Sequence, residues 1–363
     1  MTNLNRFILI SNVFFCPLAS AGGLYLYEVT AGDIGLASAG MAARAQDASV
    51  IVANPAGLAN VSKKSFSGNL IGLYGDTLLD TNNGDAGNVI GFTPLVSAFY
   101  SQRLNNSWTL GIGLYGNYGL GLEYEGLLDN RLDIPTATTQ ALTIRPSASY
   151  RINEQWSVGA SFGVQRGMYE LEAKGMLNIN DQDQDTQLNA QVGMLYEVKA
   201  GTRLGFSYSS ETEFEFDNGN AIAPQQLIFS VYHAVNDDLA VMWNINWQDW
   251  SEYTTTLNVE TQDTYQIAFG TQYKLNKKMI WAAGFAFDTS MYESQSSGDI
   301  TIPTGNAYRI GTGIEYKLDS ENSIGLAFEA VLMESSETPA LYARFDEPAL
   351  YFISMSYDWK SKI

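Results

Sequence analysis

The chain has 363 residues, 39 acidic and 20 basic, for a formal charge of −19. So negative a surface cannot displace counterions from phosphates, which excludes nucleic-acid binding. Charged residues make up only 16%, while 21 Tyr, 17 Phe and 7 Trp exclude a disordered acidic chain and require a fold whose surface tolerates aromatics.

Residues 1–21 read as a secretory signal peptide. Arg6 supplies a positive start, Phe7–Leu18 a largely apolar stretch, and Ala19-Ser20-Ala21 a small-x-small cleavage site. The stretch is short of the ~20 residues a membrane helix needs. The single cysteine, Cys16, falls inside it, so the exported chain is expected to carry no disulfide. No later segment offers ~18 uninterrupted apolar residues, which excludes membrane helices. A closed barrel remains as the way to cross hydrocarbon with every backbone amide bonded internally.

Residues 22–64 differ from the remainder of the chain. Gly35 to Ser49 is rich in Ala and other small residues, suited to short, closely packed helices, and Asn54-Pro55 is a turn signal. About forty compact residues ahead of a barrel read as a plug, or hatch.

From about Ser65 onward the period is two. Trp243, Ile245 and Trp247 alternate with Asn244, Asn246 and Gln248, and Tyr351, Ile353, Met355 and Tyr357 with small or polar partners. Aromatics stand near the ends of apolar faces, as Tyr308 and Tyr316 do, matching girdles around an apolar band about 25 Å tall. Short polar turns near Asn105, Asn153, Ala200, Asn236, Asn276 and Asp319 alternate with longer loops around 76–91, 120–135, 176–187, 211–224, 251–263, 289–304 and 335–347. Six turns and seven loops imply fourteen strands with both barrel ends on the periplasmic side. The expected fold is therefore all-β: an antiparallel transmembrane barrel over 65–363, its lumen plugged by a small, partly helical hatch. Pro146 predicts a local irregularity, and Pro348–Trp359 is the expected closing strand.

Several motifs fail on context. Gly111-Ile-Gly113-Leu-Tyr-Gly116 matches G-x-G-x-x-G, but alternation continues where a nucleotide site needs a helix. Asp181, Asp183 and Asp185 resemble the start of a calcium loop, but Thr186 and Val192 stand where Gly and Glu are needed, so a solvated outer loop is expected. His233 is the one histidine, and Ser230 would lie on the opposite face of its strand. No enzyme activity, cofactor or metal is expected.

Gly35–Gly40, followed by Asp47-Ala48-Ser49 and Asn54-Pro55-Ala56-Gly57-Leu58, resembles the N-terminal hatch motif of the FadL/TodX (OMPP1) family. Arg145-Pro146 with Tyr150–Gly159, Trp247–Ser251 with Tyr253, and Ile302-Pro303 with Arg309, Gly313 and Tyr316 are similar to later strands of that family. The resemblance implies an outer-membrane channel for passive uptake of long-chain fatty acids or related hydrophobic compounds. It implies a gate at Asp47, Asn54, Pro55, Ala56 and Gly57, with the Asn54–Ala56 triad approaching a kinked third strand that opens sideways into the membrane. Leu24 matches a residue of the internal ligand pocket. The third strand is expected over Trp108–Leu120, with Gly111, Gly113, Gly116 and Gly119 permitting the kink. A fatty carboxylate needs a cation; Arg145, Arg166 and Arg309 are candidates, lying within strands and expected to face the lumen, where structural ion pairs such as Arg309 with Glu315 or Glu329 compete. The expected partners are a hydrophobic small molecule and outer-membrane lipid or lipopolysaccharide, and the expected state is a monomer in a Gram-negative outer membrane. The alternative is a structural or surface-interaction barrel, and within transport an aromatic hydrocarbon in place of a fatty acid.

Overall fold

The computed structural model describes residues 25–361, apart from 82–86, 125–131, 176–178, 218, 252, 254–258, 295, 297, 299–301 and 339–341. The expected leader and Leu24 lie outside the described residues.

Fourteen antiparallel strands close into one barrel. In chain order they are β1 (Lys64–Asp76), β2 (Phe92–Arg103), β3 (Trp108–Leu122), β4 (Leu132–Arg151), β5 (Trp156–Gly175), β6 (Ile179–Lys199), β7 (Thr202–Ser209), β8 (Gln226–Ala234), β9 (Leu239–Gln248), β10 (Thr264–Lys274), β11 (Met279–Asp288), β12 (Ala307–Lys317), β13 (Asn322–Met333) and β14 (Ala349–Lys360). Each pairs with its chain neighbours, and β1 closes the ring on β14 from Ser65↔Lys360 to Asp76↔Ala349. The alternation is inverted relative to a water-soluble protein: Ile353 and Met355 of β14 are 61% and 59% exposed, while Ser354 between them is 1% exposed. Apolar residues point outward to lipid and polar ones inward.

Five of the six short turns share one device. In each, an Asn or Asp side chain accepts the N–H groups two and three residues on: Asn105 from Ser107 and Trp108, Asn153 from Gln155 and Trp156, Asn236 from Asp238 and Leu239, Asn276 from Lys278 and Met279, Asp319 from Glu321 and Asn322. Such side chains replace a missing backbone partner and fix the reversal.

The outer side corrects several loop expectations. Strands β4, β5 and β6 run 20, 20 and 21 residues, about twice what a bilayer needs, so most of 176–187 is strand rather than loop. Residues 211–224 form a hairpin of their own, Thr212–Phe216 against Gly219–Ala223. The loops at 76–91 and 335–347 join in a four-stranded sheet. At Pro146 the β4–β5 pairing lapses between Ile144↔Val164 and Ser147↔Ser161 but resumes in register. The β4–β5 register shift falls instead at Asp133/Thr136, around Pro135.

Residues 25–62 fill the lumen. Helix α1 (Ala31–Gly35) is capped by Thr30, and helix α2 (Met41–Arg44) follows Gly40. Two 3₁₀ turns, Ala48–Ile51 and Pro55–Asn60, are capped by Asp47 and Asn54. The barrel wall makes room for this segment: a Cβ on Gly205 would collide with the Ala42 carbonyl, and one on Gly284 with that of Leu36. Inward polar side chains satisfy plug amides that no helix partner reaches. Gly40 N–H donates to Asn244 (2.7 Å), Ala42 N–H to Ser230 (3.2 Å) and Ala31 N–H to Asn69 (3.1 Å). Barrel arginines bond the plug's free carbonyls: Arg103 at Ala59 and Val61, Arg151 at Ala59, Arg203 at Ala43.

Candidate functional site

Arg145 projects from β4 into the lumen and is 3% exposed. Its guanidinium donates to the Tyr115 hydroxyl (2.7 Å), Asn189 Oδ1 (2.7 Å), Ser161 Oγ (3.2 Å) and Gln191 Oε1 (3.5 Å). These partners, from β3, β5 and β6, are all neutral. A buried cation held by dipoles alone keeps an unmet preference for an anion. Against it lies a cavity of only about 20 Å³, lined also by Tyr25, Tyr118, Gln165, Thr212 and Gln226. The oxygens Gln165 Oε1, Gln226 Oε1 and Thr212 Oγ1 around it are buried and accept no hydrogen bond among the described residues.

The barrel wall is incomplete beside this cavity. Strands β2 and β3 pair only from Ala98↔Leu114 to Arg103↔Thr109. Above that, no β2–β3 ladder pairs are formed among the described residues: β2 pairs as a strand with β1 and β3 with β4, until the Glu123 N–H donates to the Val89 carbonyl at 2.9 Å. The result is a window edged by Phe92–Ser97 and Tyr115–Leu122. Its cause lies in β3: the β3–β4 register shifts between Tyr115 and Tyr118, and Gly119 takes φ +139°, which L-residues rarely adopt. Gly116 sits within the shift. Gly111 and Gly113 correct the expectation, for they lie in regular pairing below the kink and instead leave space for Ile51 and Leu58 of the plug and for Phe99.

The plug's first residues stand behind the window. Tyr25 bridges to Tyr118, and Leu26 N–H donates to the Asn117 carbonyl at 2.9 Å. The Tyr25 hydroxyl accepts from Asn117 Nδ2 (2.9 Å) and Gln226 Nε2 (2.6 Å). Burial pushes that hydroxyl up to about 12, with Tyr115 adding to the rise, so it remains neutral. Leu24, the residue singled out from sequence, lies outside the described residues; Tyr25, Leu26 and Asn117 were not anticipated. The run Leu24-Tyr25-Leu26-Tyr27, apolar but placed before the first helix, was their available signal.

The Asn54–Ala56 triad does not approach the kink. Asn54 Nδ2 donates to the carbonyls of Ala42 (2.8 Å) and Met194 (3.0 Å), and Ala56 N–H donates back to Asn54 Oδ1 (3.0 Å). Gly193 of β6 and Gly159 of β5 leave the space in which Asn54, Pro55 and Ala56 sit. The triad thus docks on the inner face of β4–β6, where the Ala56 carbonyl accepts from Ser149 of β4; Leu58 from the same turn reaches β3, at Gly111. Gly57 lies against Val50 and Ala45 of the plug itself.

The other two arginines part company with Arg145. Arg166 follows Phe162 and Val164 on the outward face of β5 and donates to Thr186 and Gln184, each at 2.7 Å, so it does not face the lumen. Its parity decides this, since Ser161 and Gln165 are the inward residues. Arg309 does face the lumen but is enclosed by carboxylates: it donates to Glu28 of the plug and to Asp288 of β11, with Glu329 of β13 at 3.6 Å. Its guanidinium also lies 5.1 Å from the Tyr27 ring centroid. Glu329 was anticipated; Glu28 and Asp288 were not. This cluster tethers the plug's first turn.

On the periplasmic side the plug faces a polar vestibule of about 590 Å³, lined by Arg44, Asp47, Glu315, Glu321, Asp358 and Lys360 among others. His233 points outward beside Thr202, Nδ1 to Oγ1 2.8 Å.

The model of a family of outer membrane protein transport proteins (OMPP1/FadL/TodX) matches residues 13–227 and 222–344. Outer membrane protein P1 of Haemophilus influenzae is 23% identical over 85% of this chain and 86% of its own. The long-chain fatty acid transport protein of Escherichia coli K12 is 21% identical over 84% and 86%. In fold, the chain is similar to a crystal structure of a Pseudomonas aeruginosa FadL homologue (TM-score 0.78, 17% identity, 93% of this chain and 99% of that one). It is also similar to the Ralstonia pickettii toluene transporter TbuX (TM-score 0.71, 17% identity, 92% and 99%). The family match and the closed barrel place the chain across the outer membrane of a Gram-negative bacterium. By that match, and with a lumen plug and a windowed wall of its own, this chain belongs to the OMPP1/FadL/TodX family of outer-membrane transport proteins for hydrophobic compounds.

Proposed function

We propose that the chain carries a long-chain fatty acid from the cell surface to the Arg145 site and releases it sideways through the β2–β3 window into the outer membrane, with the plug as gate. The observation that carries this reading is Arg145: a buried lumen cation whose partners among the described residues are all neutral. A carboxylate headgroup supplies the missing charge, and charge-assisted bonds are about twice as strong as neutral ones. Lateral release follows from polarity. The periplasmic vestibule is lined by charged groups, whereas the window opens onto Phe92 and other lipid-facing residues. A hydrocarbon chain moves down its own solvation gradient by taking the window.

A neutral aromatic hydrocarbon is the second reading, favoured by the rings of Tyr25, Tyr115, Tyr118 and Phe214 around the path. Equilibrium binding of radiolabelled oleate, its methyl ester and toluene to the detergent-purified protein separates the two. Tighter binding of oleate than of its ester, lost in Arg145→Gln, supports the carboxylate; equal binding of all three, unaffected by Arg145→Gln, supports the neutral cargo. Saturable binding of none returns the chain to a structural barrel.

A further inference from the structure

The cavity against Arg145 is about 20 Å³, whereas small-molecule sites occupy roughly 300–1,000 Å³. An occupant must therefore displace something. The wall around Arg145 is paired strand to strand from β3 to β9, interrupted at the Tyr115/Tyr118 shift and for two residues at Arg145-Pro146, and Tyr25 is held by Asn117, Gln226 and the Leu26 amide. Besides Val52 of the plug, the remaining cover is the hairpin of Thr212–Phe216 and Gly219–Ala223, which folds inward from the β7–β8 connection; Thr212, Ala223 and Pro224 line the cavity. A hairpin of two five-residue strands is marginal by itself and depends on the surface beneath it.

Its two faces differ. Thr212, Phe214 and Phe216 are buried underneath, while Glu213, Glu215 and Asp217 are exposed above. The underside rings form a continuous row, Tyr169 to Phe216 at 5.5 Å, Phe216 to Phe214 at 6.1 Å, and Phe214 to Tyr118 at 6.0 Å. That row runs from Tyr169, which borders a groove of about 860 Å³ lined also by the outward-facing Phe92, Arg166 and Gln184, to the inner cavity, lined by Tyr118. Two carboxylates of β6 fasten the hairpin: Asp185 Oδ2 accepts the Glu215 N–H (2.9 Å) and Asp183 Oδ2 the Asp217 N–H (2.7 Å). Tyr118 adds a bond from its hydroxyl to the Ile222 carbonyl (3.1 Å). Three acidic residues on the hairpin face a strand carrying Asp181, Asp183 and Asp185, so like charge opposes closure while backbone bonds maintain it. The Asp-x-Asp-x-Asp run thus has a use unrelated to metal.

We propose that the hairpin of Thr212–Phe216 and Gly219–Ala223 is a lid over the Arg145 site, fastened by Asp183 and Asp185, and that Phe214 and Phe216 on its underside receive the cargo's hydrocarbon chain as the lid lifts. The carboxylate end of this inference rests on the proposed function; the lid does not. Two measurements test it. First, Thr212→Cys, on the underside, is labelled by a water-soluble maleimide with and without Asp183→Ala/Asp185→Ala; a tenfold faster reaction in the unfastened background is expected. The single Asp185→Ala variant serves if the double variant folds poorly. Second, an Asp183→Cys/Asp217→Cys pair locks the lid. Oxidised, it should take up radiolabelled oleate at less than a tenth of the wild-type rate, and reductant should restore the rate in the same sample. Uptake at the wild-type rate by the oxidised protein, or labelling indifferent to the aspartates, overturns the lid. If labelling responds but wild-type protein binds no oleate, the lid stands, the carboxylate cargo falls, and toluene replaces oleate in the locked-lid measurement.

Discussion

Replacing Arg309 by Met should be far more damaging than replacing Glu28 by Gln, although the two groups bond each other. The Arg309 side chain is 1% exposed and faces those of Glu28, Asp288 and Glu329, each 3% exposed or less. Removing one partner of a buried pair costs about 3–5 kcal/mol, because the other charge is left uncompensated. Here the substitution removes the cation that Glu28, Asp288 and Glu329 surround, so a cost of about 3–5 kcal/mol is expected. Glu28→Gln keeps an acceptor toward the guanidinium, leaves Asp288 and Glu329 to neutralise it, and removes one excess negative charge. Its cost should stay near about 1 kcal/mol, the worth of an ordinary hydrogen bond. Guanidinium unfolding of the detergent-purified proteins, read by loss of the heat-modifiable barrel on gels, gives both values. Limited proteolysis should show residues 25–30 exposed in Arg309→Met before the barrel opens. Two variants of equal stability, or a stabilised Arg309→Met, would refute the reasoning and show that the carboxylates are discharged without the arginine.

Three further outcomes concern the plug. Gly205→Val puts a branched side chain on the Ala42 carbonyl, so the plug should be displaced and single-channel conductance in planar bilayers should rise from near zero to open-pore values. Asn54→Ala removes two donated bonds and one accepted bond at a fully buried position and should cost about 2–4 kcal/mol by the same unfolding assay. Asp47 titrates with a definite sign. Burial alone would raise it, but Lys360, the Ser49 bonds and Arg44 together hold it below its ordinary value. A depressed carboxylate contributes stability that is complete above the ordinary value and lost as pH falls through the folded-state one. Plug protection from protease should therefore weaken below about pH 4, and Asp47→Asn should flatten that dependence.

The barrel itself was legible because its signals are local. Alternation at Trp243–Gln248 or Tyr351–Tyr357 depends only on neighbours, and each Asn or Asp of the short turns caps amides two and three residues away. Arg166 was misplaced by one step of parity, though Phe162 and Val164 on its own strand marked the outward face. The triad at Asn54 announced a turn, which it makes, but nothing near it names Gly159 and Gly193 as the surfaces it meets. The inward hairpin at 211–224 was hidden for a related reason. Glu213, Glu215 and Asp217 gave it the polarity of a solvated loop, while its other face was buried by Tyr118 and Tyr169 from distant strands. Glu28, Asp288 and Arg309 likewise converge from positions far apart in the chain.

The closure of β1 on β14 also sets an order of events in the making of the molecule. Residues 25–62 precede the barrel in the chain, yet their partners at Asn69, Arg203, Ser230 and Asn244 lie on opposite sides of the ring. Until Ser65 meets Lys360 there is no lumen to hold them. The plug's docking bonds therefore cannot all form before the ring closes, so its seating is completed with barrel closure rather than ahead of it.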